Sequence, residues 1–543
     1  MKIMKNKKAK AVLLLLSMLL FFGFNAKSVD KDKKTESNRL SKTSSNDASI
    51  GDSYRMFINK IAMPLNSKGV TADVVVGDNP ATGQIDGKGF LFSGGFMMSG
   101  VNDQGIMWAN GSATASRTED YEAGNASWNT TDDIQETDDT YAGMYLVRSS
   151  DPPFGEVWQN WGVAVEAGAY FYDGDGDGVY NPVDKNGNGI WDPEEDSPDI
   201  LGDETIWCVY NDAVQPTFRN WINVNPQGIE IRQTVWAYAT AGDLGNIMFM
   251  RYSLLNTGLV SDVHNDVYFS VWADPDLGDY SDDLVGSDPF LNAGYVYNDG
   301  SDGQFGVDPP CFLVDFFQGP WTETGDPNDF ALNVKGPLLG VDTIWGNVNA
   351  ELSSFTHYMQ GNLNLDDPDD EIIARNYMLG LDMKGFPIDP CNWEFGTVYK
   401  TDCSTIDPRY LYSGDPVTLT GWIGNLPYDQ RQMSNTGPVT LVKGKPVDIV
   451  VAYVVGRSTS AIASVKETKK IDRAAQFVFQ NNFNVPSAPP AVNPIIKAND
   501  NSIELIWETK PQMDYSSVGV GYDMHFEYYE VKMYQSNVTA DAN

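Results

Sequence analysis

Residues 173–195 read DGDGDGVYNPVDKNGNGIWDPEE. Ordering a Gly-rich run of this kind costs roughly 1–2 kcal/mol per residue, so it folds only where something offsets that cost. The run holds two overlapping copies of one oxygen-rich pattern. The first offers Asp173, Asp175, Asp177, Asn181 and Asp184, and the second offers Asp184, Asn186, Asn188, Asp192 and Glu195. A Gly stands at the sixth position of each copy (Gly178, Gly189), where the chain must turn sharply. Val179 and Ile190 follow, each placing a backbone carbonyl where it can ligate. Calcium is a hard cation that takes six to eight oxygens, and this spacing supplies them.

The ordinary alternative is a solvated Asp/Asn/Gly loop without metal. An EF-hand needs a helix on each side of its loop, whereas Pro182 follows the Asp-rich part of the first copy and Pro193 interrupts the second. The shared Asp184 instead resembles thrombospondin type 3 repeats and dockerin-like loops. An ion held there would have a structural role, in a calcium-loop segment spanning 172–203.

A second acidic run, WADPDLGDYSDDLVGSD, carries Asp274, Asp276, Asp279, Asp282, Asp283 and Asp288 directly after an apolar strand. It reads as a weaker, sheet-edge calcium site or as an acidic surface loop. A catalytic carboxylate pair is the remaining reading, but it needs a defined separation in a cleft, which sequence spacing does not encode.

The chain opens with a secretory signal pattern over 1–28. Lys2, Lys5, Lys7, Lys8 and Lys10 precede an apolar run from Ala11 to Phe24 and a small-x-small site at Ala26-Lys27-Ser28. The apolar run is shorter than the roughly 20 residues of a membrane span, and no later stretch is long and apolar enough to span in the mature chain. The leader holds six Lys and no acid, so its removal takes the formal charge from −37 to −43. That excess excludes nucleic acid, which needs positive charge to displace counterions, and suits solubility and divalent cations. Residues 29–50 are polar and charged and read as a disordered spacer.

From 51 to 485 the pattern is mainly β. Ile229, Ile231, Val235 and Ala237 alternate with Glu230, Arg232 and Thr234, as in a half-buried strand. Further strands are expected at Asn246–Leu255, Val267–Trp272 and Val447–Val455, with Gly, Pro, Asn and Asp between them. The spacing predicts one or more β-sandwich domains with an inserted calcium-loop segment and few helices. Helices are expected at Glu156–Ala169 and Ser464–Phe479, the latter opened by a Ser464/Glu467 capping box. Cys391 and Cys403 are close enough for a local disulfide, which leaves Cys208 and Cys311 as a further pair in a secreted chain.

Catalytic signals are sparse. The three His (His264, His357, His525) are far apart, and no GxSxG, HExxH or papain-like cysteine context occurs. The 14 Trp and 26 Tyr read as sandwich core rather than as exposed sugar-stacking platforms.

After the Pro-rich VPSAPPAVNP, residues 486–543 resemble the start of a fibronectin type III domain, with strands at Asn501–Glu508 and Glu527–Tyr534 and a buried Trp507. That length is too short for the seven strands of a full sandwich, so the sequence reads as stopping inside a partial domain. The phrases GFLFSGGFMMSG, FYDGDGDGVYNPVDKNGNGIWDP, VWADPDLGDYSDDLVGSD, YSGDP and VAYVVGRS together resemble a group of large uncharacterised secreted proteins of Gram-negative bacteria that are substrates of the type IX secretion system. The resemblance implies export but no activity. The expectation is a secreted or cell-surface, calcium-stabilised protein that binds an extracellular glycan or protein in adhesion or in a matrix. The alternative is a secreted hydrolase of polysaccharide or protein, or a non-catalytic part of one.

Overall fold

Runs of β-branched and aromatic residues, broken by Gly, Asn and Asp turns, form two large antiparallel sheets in the computed structural model, which describes residues 48–77, 79–114, 120–484, 495–499 and 502–507. The expected leader, nearly all of the spacer, His525 and the strand expected at 527–534 lie outside the described residues. Sheet 1 runs in the order Leu352–Tyr358, Arg431–Val442, Val263–Asp274, Ser93–Val101, Thr71–Ala72, Ile61–Asn66, Gly83–Ile85, Lys88–Leu91. Sheet 2 runs Glu122–Ala123, Glu204–Asn211, Ile229–Ala237, Ile247–Asn256, Val447–Gly456, Cys311–Gln318, Ala293–Tyr297, Leu284–Asp288.

The two sheets pack face to face as a β-sandwich. Phe96 of sheet 1 meets Tyr210 and Tyr252 of sheet 2, with ring centroids 6.1 and 5.6 Å apart, and stacks on its own-sheet neighbour Phe269 at 5.3 Å. Sheet 2 is covered on its other face as well. Helix α1 (Glu156–Glu166) lays Trp158, Trp161 and Ala164 over Tyr145, Val147, Trp207 and Val209. Helix α3 (Ala461–Gln480) lays Val465, Ile471, Ala475 and Val478 over Phe249, Leu313, Val450, Ala452 and Val454. Between them in sequence, α2 (Glu371–Met378) covers the outer face of sheet 1, with Tyr377 stacked on Tyr358 at 5.6 Å.

Coverage on both faces corrects the half-buried reading of Ile229–Ala237. Glu230 and Thr234 are buried too, and find donors. Glu230 accepts from the Asn125 side chain and the Ala126 N–H, and Thr234 from Arg251. The capping box is corrected as well. The N-cap of α3 is Ser460, which accepts from the Ala463 N–H, while Ser464 lies inside the first turn and donates to the Ser460 carbonyl. Cys391 and Cys403 are bonded, as expected. Cys208 and Cys311 are not paired with each other, because they sit as separate buried thiols in sheet 2, facing its inner and outer cores respectively.

Burial pushes both thiols up to about 12. A thiol reagent should therefore find no reactive cysteine in the native protein and two per chain in denaturant, a count read directly by absorbance.

Asp315 on sheet 2 and Asp472 on α3 face each other beneath the helix, both 1% exposed and with no side-chain donor on either carboxylate. Two acceptors coexist there only by sharing a proton, and burial raises both, Asp472 to about 7 and Asp315 well above the usual carboxylate range. A carboxyl raised in the folded state gives stability that is full at low pH and is lost as pH climbs from the ordinary carboxylate range to about 7. Asp472→Asn keeps a carbonyl acceptor for protonated Asp315 and removes the share of that loss due to Asp472. The melting temperature of the variant relative to the parent should therefore rise between pH 5 and pH 8, and thermal melts at the two pH values measure it.

Candidate metal centres

The 173–195 loops sit on a short neck at the end of the segment that follows α1. Phe171 and Tyr172 pair with Pro198 and Ser197. Side chains pin the loops to their surroundings. The Tyr180 hydroxyl donates to the Trp158 carbonyl at 2.7 Å and Gln159 to the Pro182 carbonyl at 2.8 Å, while within the loops the Trp191 indole donates to the Glu195 carbonyl at 3.0 Å. Gly174 is required by space, since a Cβ there would lie 2.3 Å from the Glu195 carbonyl oxygen.

The two copies have the same internal wiring. Asp173 accepts from the N–H groups of Gly176, Asp177 and Gly178, and Asp184 accepts from those of Gly187, Asn188 and Gly189. Asp175 then takes the Asp177 N–H and Asp177 the Val179 N–H, as Asn186 takes Asn188 and Asn188 takes Ile190. Gly176, Gly178, Gly187 and Gly189 all have φ between 75° and 77°, the left-handed region that glycine enters without a Cβ clash. In the first copy the carboxylates of Asp173, Asp175 and Asp177 converge, with one oxygen of each within 4.8 Å of the others. Lys185 reaches in with its ammonium 2.7 Å from Asp175 and holds that carboxyl below its usual range. Its neighbour Asp184 is also held low, by the Gly189 N–H first and then by those of Gly187 and Asn188.

The expected ligands fall in different settings. Asp184 turns its carboxylate into the second copy. Val179 and Ile190, expected to ligate through their backbone carbonyls, have exposed side chains, and Asn181 enters the hydrogen bonding through its backbone N–H. Asp192 accepts from the Asn186 and Asn188 amides at 2.6 and 2.9 Å. Glu195 is buried and accepts from the N–H groups of Lys185 and Asp192, which closes the second copy across its ends. Asp196, absent from the sequence-derived set, does the same for the first copy by accepting from Gly174 at 3.0 Å and Asn181 at 2.7 Å. The only sequence signal for it was its place beside Glu195.

The second acidic run divides into two groups. Asp279 caps the turn at Ser281, and Asp282 and Asp283 both accept from the Asn298 amide. Burial lifts Asp282 to about 6 and Asp283 well above the usual carboxylate range. Asp274 and Asp276 turn elsewhere and meet Asp429, with one oxygen of each within 4.8 Å of the others. Asp429 comes from just before the strand Arg431–Val442, whose first residue approaches Asp274 with its guanidinium at 3.6 Å. Burial raises Asp274 to about 8 and Asp276 to about 6.

His264 and His357 are core residues. His264 bonds to the Trp108 indole and the Gln227 carbonyl, and His357 bonds to Gln430, with burial pushing it down to about 4. A cavity of about 200 Å³ lies apart from both acidic groups, lined by Ser49, Tyr145, Arg148, Asp151, Asn160 and Trp161 among others. No family model matches the chain, and no curated protein matches it.

Asp196 holds two backbone N–H groups in a buried setting, and losing such bonds costs about 1–3 kcal/mol. Asp196→Asn and, through the clash, Gly174→Ala should each speed proteolytic cleavage within 173–195 roughly ten-fold at unchanged sandwich stability. Timed digestion with mass mapping of the cut sites measures this.

Proposed function

We propose that this chain is a secreted or cell-surface β-sandwich protein whose 173–195 loops are held by calcium, and that it serves as a binding, adhesion or matrix component. The observation that carries this reading is the duplicated wiring of the loops. Three carboxylates converge in the first copy, and the backbone turns that bring them together recur residue for residue in the second. The donor set is all oxygen, which suits a hard cation. Asp173, Asp175 and Asp177 would hold the ion in the first copy, and Asp184, Asn186, Asn188 and Asp192 in the second. Lys185 would leave Asp175 as the ion enters, because the two cations compete for one carboxylate.

The leader pattern and the local Cys391–Cys403 bridge support an extracellular setting. No helix among the described residues is long and apolar enough to cross a membrane. The family likeness to type IX secretion substrates fits the same setting. Phe330 and Trp345 support a glycan or protein partner. Both are exposed, on facing positions of a hairpin with their rings 5.7 Å apart, and offer an aromatic surface.

Calorimetric titration with calcium tests the reading, together with melts in calcium and in chelator. Extracellular modules bind with Kd of about 10⁻⁴–10⁻³ M. Binding in that range, protection of 173–195 from protease by calcium, and loss of both in Asp173→Asn/Asp184→Asn are the expected results. A parent protein that neither binds calcium nor gains protection would overturn it.

A further inference from the structure

We propose that Asp274, Asp276 and Asp429 form a second binding site for a hard divalent cation, independent of the 173–195 loops, with calcium as the ion that suits it. The three carboxylates come from two segments far apart in sequence that adjacent antiparallel strands of sheet 1 bring together. Each contributes an oxygen within 4.8 Å of the other two.

A second observation points to the missing partner. Asp274 is 4% exposed, and its Oδ1 is enclosed with no hydrogen-bond donor, while Oδ2 faces Arg431 at 3.6 Å. A buried carboxylate oxygen that accepts nothing from the protein lacks the positive partner that burial demands. Asp367, whose Oδ1 is likewise enclosed and donorless, acts on Asp274 electrostatically and adds to the same deficit. Arg431 does not close it. It brings one positive charge, and its only hydrogen bond into the group goes to Asp429 at 2.9 Å.

Graded burial fits an ion that enters from solvent. Asp274 forms the floor, and Asp276 and Asp429 are only partly buried at the rim. Three carboxylates offer up to six oxygens, and water on the open side can complete the shell of a calcium ion. Bound there, the ion would tie the end of the strand Val263–Asp274 to the start of Arg431–Val442.

Calorimetric titration of the full chain with calcium chloride, on the parent, Asp429→Asn, Asp276→Asn and Asp173→Asn/Asp184→Asn, tests the proposal. The expected result is that each rim variant loses one calcium equivalent, or binds it at least ten-fold more weakly, while the loop variant retains it. Circular dichroism in chelator checks that the rim variants fold, and Asp276→Asn decides if Asp429→Asn does not. Equal stoichiometry and affinity in the parent and a folded rim variant would overturn the proposal, as would a loop variant that binds no calcium at all. Calcium binding lost only in the rim variants would sink the loop assignment and leave this site standing.

Discussion

The strand Val447–Gly456 is the element on which the rest of the molecule depends. It pairs along its length with Ile247–Asn256 on one side and Cys311–Gln318 on the other, and no residue in it is exposed. Without it, sheet 2 is two separate pieces, each with a long apolar edge open to mispairing. Its partners lie far back along the chain, so their pairing carries a large loop-closure cost that only a fully buried strand offsets. That explains the composition: Val450, Ala452 and Val454 face the helix, and Val451, Tyr453 and Val455 face sheet 1. Its one acid, Asp448, also has structural partners. It accepts from the Tyr170 hydroxyl beside the loop neck and from Asn333 on the exposed hairpin, each at 3.1 Å, and so fixes both excursions to the centre of the sheet.

Much of this architecture was legible in the sequence, for a physical reason. Strands buried on both faces are continuous β-branched runs, and they stand out between Gly- and Asn-rich turns. The expected strands at Asn246–Leu255 and Val447–Val455 fall within a residue of Ile247–Asn256 and Val447–Gly456. The errors came from contacts that spacing does not encode. Glu230 and Thr234 looked solvent-facing because their donors, Asn125 and Arg251, lie elsewhere in the chain. Ser464 resembled a cap because Glu467 follows it, yet Glu467 pairs with Lys470 and Ser460 caps the helix. Helix α2 was missed because its cap, Asp370, is hidden in an acidic run.

The candidate sites divide along the same line. The wiring of the 173–195 loops runs almost entirely between residues two to five apart, so a linear pattern contains it. The cluster at Asp274 needs Asp429, which arrives only through strand pairing in sheet 1. No motif could name it, because the information lies in the pairing of the strands that carry the two acids.

This division also sorts the acidic charge into two populations. Asp175, Asp184, Asp279, Asp326, Asp389 and Asp402 are held low by nearby donors, mostly their own turns' N–H groups, and stay ionised at neutral pH. Asp120, Asp199, Asp274, Asp283, Asp315 and Asp472 are raised, in each case by burial first. Among these, Asp120 and Asp199 have an arginine close by, Arg219 and Arg251. Asp315 and Asp472 have each other and a shared proton. Asp274 has the Arg431 guanidinium at 3.6 Å on one oxygen and no donor on the other. The formal charge of −37 therefore overstates what the folded chain carries near neutral pH. Buried acids reach neutrality through arginine, a proton or a cation, and only the last two leave the balance open to the medium. Calcium bound at Asp274, as proposed, would displace the proton that burial otherwise favours there.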